Sequence, residues 1–418
     1  MSRSITDHES DWARDFDHAD PAYNRRAPEI WAELRSRCPV VHSRRYGGMW
    51  IPLTHEDVRS IAYDTDRFTS RNVVVANVSS AIAAPVGPAP PITSDPPFHA
   101  KARRLLLPHF SPKRIASMEH ELRAVCRACL DDLGPLAVGS TIDAASDFAC
   151  QIPLRVIAPM LGFESDTHGR LVGFVHDLLE GFDDDPAEQR RRRDELGEYV
   201  REHLADQRRE PTSPLVTDLL TAEIDGAPLD DEHLVGTIIL IFLAGIDTTW
   251  SAIGSALWHL AKHPADRRRL VAEPELMPQA VEELLRAYAP VTMARQVKRD
   301  CDFRGHAMKA GEWVLLPFPA ANRDPAVFER ADEVVLDREV NRHLAFGLGI
   351  HRCLGSNLAR LELRVAVEEF LGRFPDFELA SGRQVEWSIG QVRGPRALPL
   401  NILATGERAG SPALGRTS

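Results

Sequence analysis

The most informative segment of the chain runs Phe346-Gly347-Leu348-Gly349-Ile350-His351-Arg352-Cys353-Leu354-Gly355. Its glycines at positions 347, 349 and 355 let the backbone turn tightly and approach a flat ligand closely. Cys353 stands just before a predicted helix, so its thiolate would lie at the positive end of the helix dipole and could accept backbone N–H bonds. Both effects favour the anion that a metal requires. A buried cysteine in a glycine-rich turn is the alternative, but it accounts poorly for the whole ten-residue pattern.

A second segment, Ala244-Gly245-Ile246-Asp247-Thr248-Thr249, lies in the middle of a helix predicted over Asp231–His263. Asp230 or Asp231 can cap the start of this helix, and Pro264 ends it. Its middle, 238–244, is apolar on all sides, which predicts a helix that runs through the protein interior.

Two residues of that second segment are unfavourable where they stand. Gly245 costs roughly 1 kcal/mol in a helix interior relative to Ala, and Asp247 is costly because an unpaired buried carboxylate is strongly disfavoured. Together they indicate a place where stability is exchanged for function. The alternative is a helix kink in which a threonine bonds back to the preceding turn.

These two segments resemble the cytochrome P450 haem-thiolate enzymes of the soluble bacterial type. The motifs are Phe-Gly-x-Gly-x-His-x-Cys-x-Gly and (Ala/Gly)-Gly-x-(Asp/Glu)-Thr, and the resemblance extends from about Phe16 to Ala404. It implies a mainly α fold, rich in helices with small β-sheets, in one catalytic domain. We expect that domain over residues 16–405, with disordered segments at 1–15 and 406–418.

The resemblance assigns roles around one haem b group. Cys353 would be the axial iron ligand, whose thiolate pushes electron density onto iron and favours O–O cleavage. The haem-binding loop around it would include Phe346, Gly347 and Gly355. In the second segment, Ala244 and Gly245 would leave room for O2, Thr248 would hydrogen-bond the oxygen, and Asp247 would relay protons from solvent.

The haem propionates need cations or hydrogen-bond donors. His99 and Arg103 stand at i and i+4 on a predicted helix, where they could clamp one carboxylate. Taken alone, such a pair is more typical of a basic surface helix. The resemblance instead assigns the propionates to His99 and Arg103, together with Arg295 and His351.

Glu283 and Arg286 place opposite charges at i and i+3 on one helix face. Most such pairs are solvated and weak. In the family that the chain resembles, this pair joins a later arginine to brace the haem-binding region. Arg323 and Arg338 are both candidates, and the sequence does not choose between them.

The resemblance implies a monooxygenase that activates O2 with two externally supplied electrons. It would insert one oxygen atom into a small, largely apolar or aromatic organic substrate, by hydroxylation, demethylation or epoxidation. The rival functions are a non-catalytic haem-thiolate gas sensor or carrier, and a peroxide-driven haem enzyme. Enzymes of the peroxide-driven kind typically lack the acid–alcohol pair, so the presence of Asp247 and Thr248 favours O2.

The electrons would come from a separate protein, because the sequence has no Gly-x-Gly-x-x-Gly or Walker motif and no stretch left for a flavin or iron–sulfur domain. A ferredoxin or flavodoxin with its NAD(P)H reductase is the partner that the resemblance implies. Arg104, Lys113, Arg114 and Arg352 could form its docking patch. Scattered solvated charges are an equally good interpretation of these four residues.

By the resemblance, the substrate pocket draws on mostly apolar positions, which favour an apolar or aromatic substrate. They are Val74, Val75, Ile92, Val175, Leu179, Leu240, Ala244, Val291, Met293 and Val392. Arg71 or Gln391 could bind a polar group. Aliphatic, terpenoid, steroid and aromatic substrates all remain open.

Composition bounds the remaining possibilities. The 418 residues carry 61 Asp and Glu against 50 Lys and Arg, a net charge of −11 that argues against non-specific nucleic-acid binding. The first residues lack the order of a signal peptide, and the most apolar stretch, 237–246, is too short to span a bilayer. We therefore expect a cytoplasmic monomer. Cys126-x-x-Cys129 resembles half of a zinc site, but no second Cys or His pair matches it, which favours ordinary helix cysteines.

The local patterns make seven further predictions. Val40–Pro52 should form a hairpin around Tyr46-Gly47-Gly48, and Thr54 caps the following helix with Asp57 as its reciprocal acid. The stretch 73–97 is a loop, whereas 112–210 is mostly helical. Helices follow at 278–287 and from Cys353 to about Arg373. The alternation over Cys301–Phe318 predicts a small hairpin around Lys309-Ala310-Gly311.

Overall fold

A computed structural model describes residues 11–18, 20–75, 88–164, 167–179 and 186–406. Helices dominate these residues. They are α1 (Trp12–Asp15), α2 (Pro21–Arg37), α3 (His55–Tyr63), α4 (Phe98–Leu106), α5 (Pro112–Ser117), α6 (Glu119–Asp132), α7 (Gln151–Met160), α8 (His168–Leu179), α9 (Pro186–Arg209), α10 (Pro214–Thr221), α11 (Asp231–Lys262), α12 (Pro264–Ala272), α13 (Met277–Ala287), α14 (Phe318–Ala321) and α15 (Ser356–Arg373).

The strands are short. They are β1 (Val40–Ser43), β2 (Met49–Pro52), β3 (Phe68–Thr69), β4 (Thr141–Asp143), β5 (Glu223–Ile224), β6 (Ala227–Pro228), β7 (Thr292–Val297), β8 (Cys301–Phe303), β9 (His306–Met308), β10 (Trp313–Pro317), β11 (Asp376–Leu379), β12 (Glu386–Trp387), β13 (Pro395–Ala397) and β14 (Pro399–Ala404). The largest sheet has the order β1-β2-β10-β7-β3, and a second has the order β11-β14-β4. The prediction of a mainly α fold with small β-sheets is confirmed.

Helix α11 is the central element of the core. The Asp230 side chain caps it by accepting from the His233 N–H at 2.7 Å, which decides between the two predicted caps. α7, α9 and α15 all pack against it. By length and composition α11 could cross a membrane, but 78% of its most apolar window is buried inside the protein. Its apolar surface therefore faces other helices and forms the interior of the fold.

The predicted first hairpin and helix cap are confirmed. β1 and β2 pair antiparallel, and Gly47 and Gly48 take positive φ between them. The Thr54 hydroxyl accepts from the Asp57 N–H at 3.1 Å. The reciprocal bond differs from the usual one, because the Asp57 carboxylate accepts from the Thr54 hydroxyl at 2.8 Å.

Two predictions of local structure are wrong. The segment Cys301–Phe318 is not one hairpin. β8 and β9 turn at Arg304 and Gly305, where a φ of +82° at the glycine allows the turn, while β10 leaves to pair with β7 and β2. The alternating pattern therefore belongs to three strands in two sheets.

The predicted disordered segment 1–15 is wrong for its last residues. Residues 11–15 are ordered, and α1 buries Trp12 to 6% exposure. The Trp12 ring lies 6.3 and 6.5 Å from those of Phe16 and Tyr23, measured between centroids, so its aromatic area anchors the helix. Residues 1–10 and 407–418 lie outside the described part.

Candidate active site

A cavity of about 1490 Å³, including its mouth, lies between α11 and the loop that precedes α15. Apolar side chains form most of its wall. Ala244, Gly245 and Thr248 of α11 line one side, and Phe346 to Gly355 contribute the opposite side. The two segments that the sequence singled out therefore face each other across one space.

The loop before α15 presents a cysteine sulfur to this cavity. Gly347 and Gly349 take φ of +63° and +65°, and a side chain at 349 would place its Cβ 2.8 Å from the Ala62 carbonyl oxygen. The Cys353 N–H donates to the Phe346 carbonyl at 2.8 Å, which closes the loop. Cys353 is exposed within the cavity. The predicted tight turns at 347 and 349 are thus confirmed.

The environment of the Cys353 sulfur is mixed. The enclosing protein raises the pKa of the thiol, while a hydrogen bond from the Gly355 N–H and the positive charge of Arg103 lower it. The predicted backbone N–H bond is therefore present, but it does not by itself yield a thiolate. Gly355 is the N-cap residue of α15, and its φ is negative, unlike those of Gly347 and Gly349. A Cβ at position 355 would lie 4.0 Å from the Cys353 sulfur.

Four basic side chains gather beside the cysteine, where the sequence predicted propionate donors. Arg103, Arg295 and His351 line the cavity, and the His99 ring packs against His351 with 4.4 Å between centroids. The Nε2 atoms of both histidines are buried and have no hydrogen-bond partner among the described residues. Buried polar atoms of this kind need partners, since an unsatisfied polar group costs about 1–3 kcal/mol.

The pKa values of these side chains indicate that the cluster lacks a negatively charged partner among the described residues. Burial, together with the positive charges of Arg295 and His99, lowers the pKa of His351 to about 2. Burial also lowers the pKa of Arg295 to about 10, against a raising effect of Asp95. Positive charge is thus crowded into a poorly solvated space. Carboxylates placed in the cavity would relieve it by accepting hydrogen bonds and cancelling charge.

Thr248 and Gly245 face the cavity, and each also has a close neighbour within the protein. The Thr248 hydroxyl donates to the Ala244 carbonyl at 2.7 Å, which is the backward bond weighed as an alternative. Because the hydroxyl proton is used in this bond, the Thr248 oxygen faces the cavity as a hydrogen-bond acceptor. A Cβ on Gly245 would meet Ile157 of α7 at 2.8 Å. Gly245 thus allows α7 and α11 to approach each other.

Asp247 is buried, at 1% exposure, but it is not the unpaired carboxylate that the sequence predicted. Its Oδ1 forms an ion pair with Arg396 of β13. Arg396 also donates to the Ser251 hydroxyl at 3.0 Å and lies 4.2 Å from the centre of the Trp250 ring. Asp247 therefore faces β13 and is not part of the cavity wall. Arg396 lies almost 150 residues away in the chain, so no local signal could have indicated it.

Glu362 is a second buried acid that the sequence analysis missed. It lies on α15 at 1% exposure and lines the cavity. Burial raises its pKa to about 8, against the lowering effect of a hydrogen bond from the Thr249 hydroxyl. A carboxyl of this pKa keeps its proton at neutral pH, so a neutral acid forms part of the wall. The only sequence signal was a Glu at a core-facing position of the helix.

The Glu283 cluster resolves the choice between the two arginines. Arg286 binds Glu283 through two hydrogen bonds of 2.8 Å, and Arg338 donates to Glu283 Oε2 at 2.9 Å. Arg323 instead donates to the carbonyls of Ala287 and Asp332. Arg338 is therefore the arginine that completes the cluster.

The predicted substrate positions divide into two groups. The first group lines the cavity as expected. Its members are all apolar: Ile92, Leu240, Ala244, Val291 and Met293.

The others do not reach the cavity wall. Val75 and Val175 are buried in the core at 1% exposure, Val392 bridges to Val291, and Val74 is half-buried elsewhere. The side chain of Leu179 lies outside the described part. Gln391 uses its amide N–H groups on the carbonyls of Val73 and Thr292, so its amide nitrogen serves the backbone.

The zinc alternative finds no support. Cys126 and Cys129 are both buried in α6, and burial raises the pKa of Cys129 to about 11. Among the described residues, no group of three or more His, Cys, Asp or Glu could hold a metal. Both cysteines therefore lie in a helix, as the sequence predicted.

A helix-rich fold around an apolar cavity, with an accessible cysteine and donors for carboxylates, defines a haem-thiolate protein. The profile of the cytochrome P450 family matches residues 186–392. Mycinamicin IV hydroxylase/epoxidase of Micromonospora griseorubida is 34% identical over 88% of this chain and 94% of its own length. Vitamin D3 dihydroxylase of Streptomyces griseolus is also 34% identical, over 84% of this chain and 88% of its own.

A crystal structure of CYP109E1 from Bacillus megaterium in complex with testosterone superposes with a TM-score of 0.84. It is 28% identical and covers 92% of this chain and all of that chain. The chain belongs to the cytochrome P450 family, and it is a monooxygenase of the bacterial type. The family is haem-dependent, and the orphaned imidazole nitrogens and the accessible sulfur fit that group.

Proposed function

We propose that this chain is a haem b monooxygenase that oxidises a neutral, largely apolar or aromatic organic molecule. The observation that carries the proposal is the sulfur of Cys353, accessible on the wall of an apolar cavity beside a basic cluster whose imidazole nitrogens lack partners among the described residues. Haem needs a ligand for its iron and hydrogen-bond donors for its two propionates. The sulfur and the basic cluster would provide them.

Haem, when bound, supplies activation of O2 with two electrons. Cys353 would ligate the iron through its thiolate, and the positive charges nearby would stabilise that anion. His99, Arg103, Arg295 and His351 would hold the propionates by charge-assisted hydrogen bonds. The Glu283 cluster would keep the loop before α15 in position, because Arg286 donates to the Ala331 carbonyl and Arg338 donates to Glu283, which joins α13 to the segment 331–338.

Proton handling would fall to the polar groups of α11. Thr248 accepts a hydrogen bond from the cavity side, because its own proton goes to Ala244. Asp247 would exchange protons with solvent on the other side of the helix, where Arg396 holds it. In this arrangement the ion pair with Arg396 holds the Asp247 carboxylate in place.

The substrate would be uncharged. Once the propionates occupy the basic cluster, the remaining wall near α11 carries no charged side chain: it is mostly apolar, with residues such as Ile92, Leu240 and Met293, and Glu362 is neutral. A charged substrate would find no partner there and would lose its hydration. The names of two relatives include vitamin D3 and testosterone, which are molecules of that character. Hydroxylation, demethylation and epoxidation all remain compatible with this cavity.

Electrons would come from a ferredoxin or flavodoxin with its NAD(P)H reductase. Arg104, Lys113, Arg114 and Arg352 are all exposed, on or beside α4, α5 and the cysteine loop. Arg103 also donates to the Arg352 carbonyl at 2.6 Å, which ties α4 to the loop. A positive surface on a protein of net charge −11 would steer an acidic partner to the cysteine side. A soluble, cytoplasmic, monomeric protein could receive electrons from such a partner.

The decisive experiment is the spectrum of the reduced, carbon-monoxide-treated protein. Wild type should show the red-shifted absorption of thiolate-ligated haem, and Cys353→Ser should lose it. Cys301→Ser is the matched control, because that thiol lies half-buried in β8 and should leave the spectrum unchanged. A Cys353→Ser variant that kept the red-shifted band would overturn the proposal. A ligand screen that follows the haem spin state would then identify the substrate class.

A further inference from the structure

The residues of α11 that line the cavity fall on two adjacent rows of the helix, and within each row they are spaced by four. Thr248, Ala244 and Leu240 all line the cavity, and the same spacing leads to Gly236. Residues at i and i+4 lie one above the other on a helix. At a rise of about 1.5 Å per residue, Gly236 lies about 18 Å along the helix from Thr248. Gly236 thus lies about one helical turn beyond Leu240, on the same row.

At Gly236 another part of the chain lies directly on the helix. A Cβ at this position would fall 2.0 Å from the Pro88 carbonyl oxygen and 3.3 Å from the Ala89 Cα. Both neighbours are backbone, so a larger residue cannot be accommodated by turning a side chain. Gly236 therefore permits a contact between backbone and helix that no other residue type allows.

The segment that sits on Gly236 is also tied down next to it. The buried Thr237 hydroxyl donates to the Pro90 carbonyl at 3.0 Å. Ala89 N–H donates to the Thr93 hydroxyl at 2.8 Å, which folds the segment back on itself. Pro91 and Ile92, the next two residues, form part of the cavity wall. The position of that wall therefore depends on how closely 88–90 approaches α11.

We propose that Gly236 is a positioning residue that sets the length of the substrate cavity. It acts through residues 88–92, whose backbone rests on it and whose Pro91 and Ile92 side chains close the far end. The inference rests on the proposed function, since it takes this cavity as the substrate site. It adds a determinant of substrate size that has no side chain and no contact with the substrate.

The test uses the haem-loaded enzyme and a series of 1-alkylimidazoles from methyl to dodecyl, with imidazole itself as reference. The ring nitrogen binds ferric iron and shifts the absorption spectrum, and the alkyl tail extends into the cavity. In wild type, affinity should rise with tail length and stop rising when the tail reaches Pro91 and Ile92. In Gly236→Ala, the segment must lift from the helix, so the rise should continue to longer tails.

Three further measurements make the result specific. Gly197→Ala in α9 is the matched control, because its Cβ would meet the nearest atom, on Arg201, at an ordinary 3.6 Å. Thr237→Val removes only the hydroxyl bond to Pro90, and should move the limit in the same direction by less. It also serves if Gly236→Ala fails to fold. Imidazole affinity should stay within about twofold of wild type in every variant, because the iron is far from Gly236.

The dependence of affinity on tail length distinguishes a failure of the Gly236 role from a failure of the proposed function. If Gly236→Ala and Thr237→Val both keep the wild-type limit while imidazole binds normally, the positioning role is wrong and the proposed function stands. If imidazole produces no spectral shift in wild type, the haem site itself is wrong, which is a failure of the proposed function.

Discussion

Replacing Glu362 by glutamine should stabilise the folded protein at neutral and alkaline pH and have little effect in acid. Burial raises the pKa of this carboxyl from 4.5 to about 8. Between those values the folded protein keeps a proton that the unfolded chain releases. The free energy of unfolding therefore falls as pH rises. The wild-type contribution is fully present below about pH 4.5 and is lost as pH approaches 8.

The magnitude follows from the pKa shift. Each pKa unit corresponds to about 1.4 kcal/mol, so the wild-type protein loses about 3 kcal/mol by pH 7 and about 5 kcal/mol above pH 8. These are upper values, because water in the cavity relieves part of the burial. Glutamine has nearly the same shape and keeps an oxygen that accepts from Thr249, but it does not titrate. Its advantage should therefore grow with pH.

The assay is urea unfolding of both proteins from about pH 5 to about pH 9, followed by circular dichroism. Glu369→Gln on the same helix is the control of opposite sign. Burial raises the pKa of Glu369, but hydrogen bonds from Arg127 and Arg123 outweigh it and lower the pKa overall. Its removal should destabilise the protein at neutral pH and lose this effect in acid. Parallel pH curves for wild type and Glu362→Gln would refute the reasoning.

Three further predictions test the site. Arg338→Met should lower the free energy of unfolding by about 3–5 kcal/mol in urea unfolding, since it leaves Glu283 short of a buried partner, whereas Arg323→Met should cost only about 1–3 kcal/mol for its carbonyl bonds. Thr248→Ala should divert electrons to peroxide and reduce product per NAD(P)H by roughly tenfold. Unchanged coupling would show that Thr248 does not take part in proton delivery. Arg396→Leu should cost about 3–5 kcal/mol, and adding Asp247→Asn should restore most of it in a double-mutant cycle.

The sequence predicts elements well where local chemistry determines them. The glycines at 47 and 48 make the first hairpin, Thr54 caps α3, and an apolar run ended by Pro264 defines α11. It fails at Cys301–Phe318, because alternation reports that residues are in strands but not which strands pair. β10 pairs with β7 and β2, and that choice depends on contacts far along the chain.

The site shows the same division. The cysteine loop and the α11 segment are each one unbroken stretch of sequence, and the structure brings both to one cavity. Partners that come from elsewhere in the chain could not be predicted. Arg396 reaches Asp247 from β13, and Arg338 rather than Arg323 reaches Glu283, because strand and loop geometry decides which arginine arrives. Sequence spacing identifies a charge but not what neutralises it.

A buried ionisable group must be paired with an opposite charge or become neutral, and the site shows three ways to meet this requirement. Glu283 and Asp247 stay buried because arginines hydrogen-bond them. Glu362 stays buried because its raised pKa keeps it neutral. The basic cluster around His351 has neither solution within the described residues, since burial and neighbouring charges depress its pKa values while its imidazole Nε2 atoms lack partners. A bound dianion would supply the third solution, and the cost of assembling the cluster would then become binding energy for the haem.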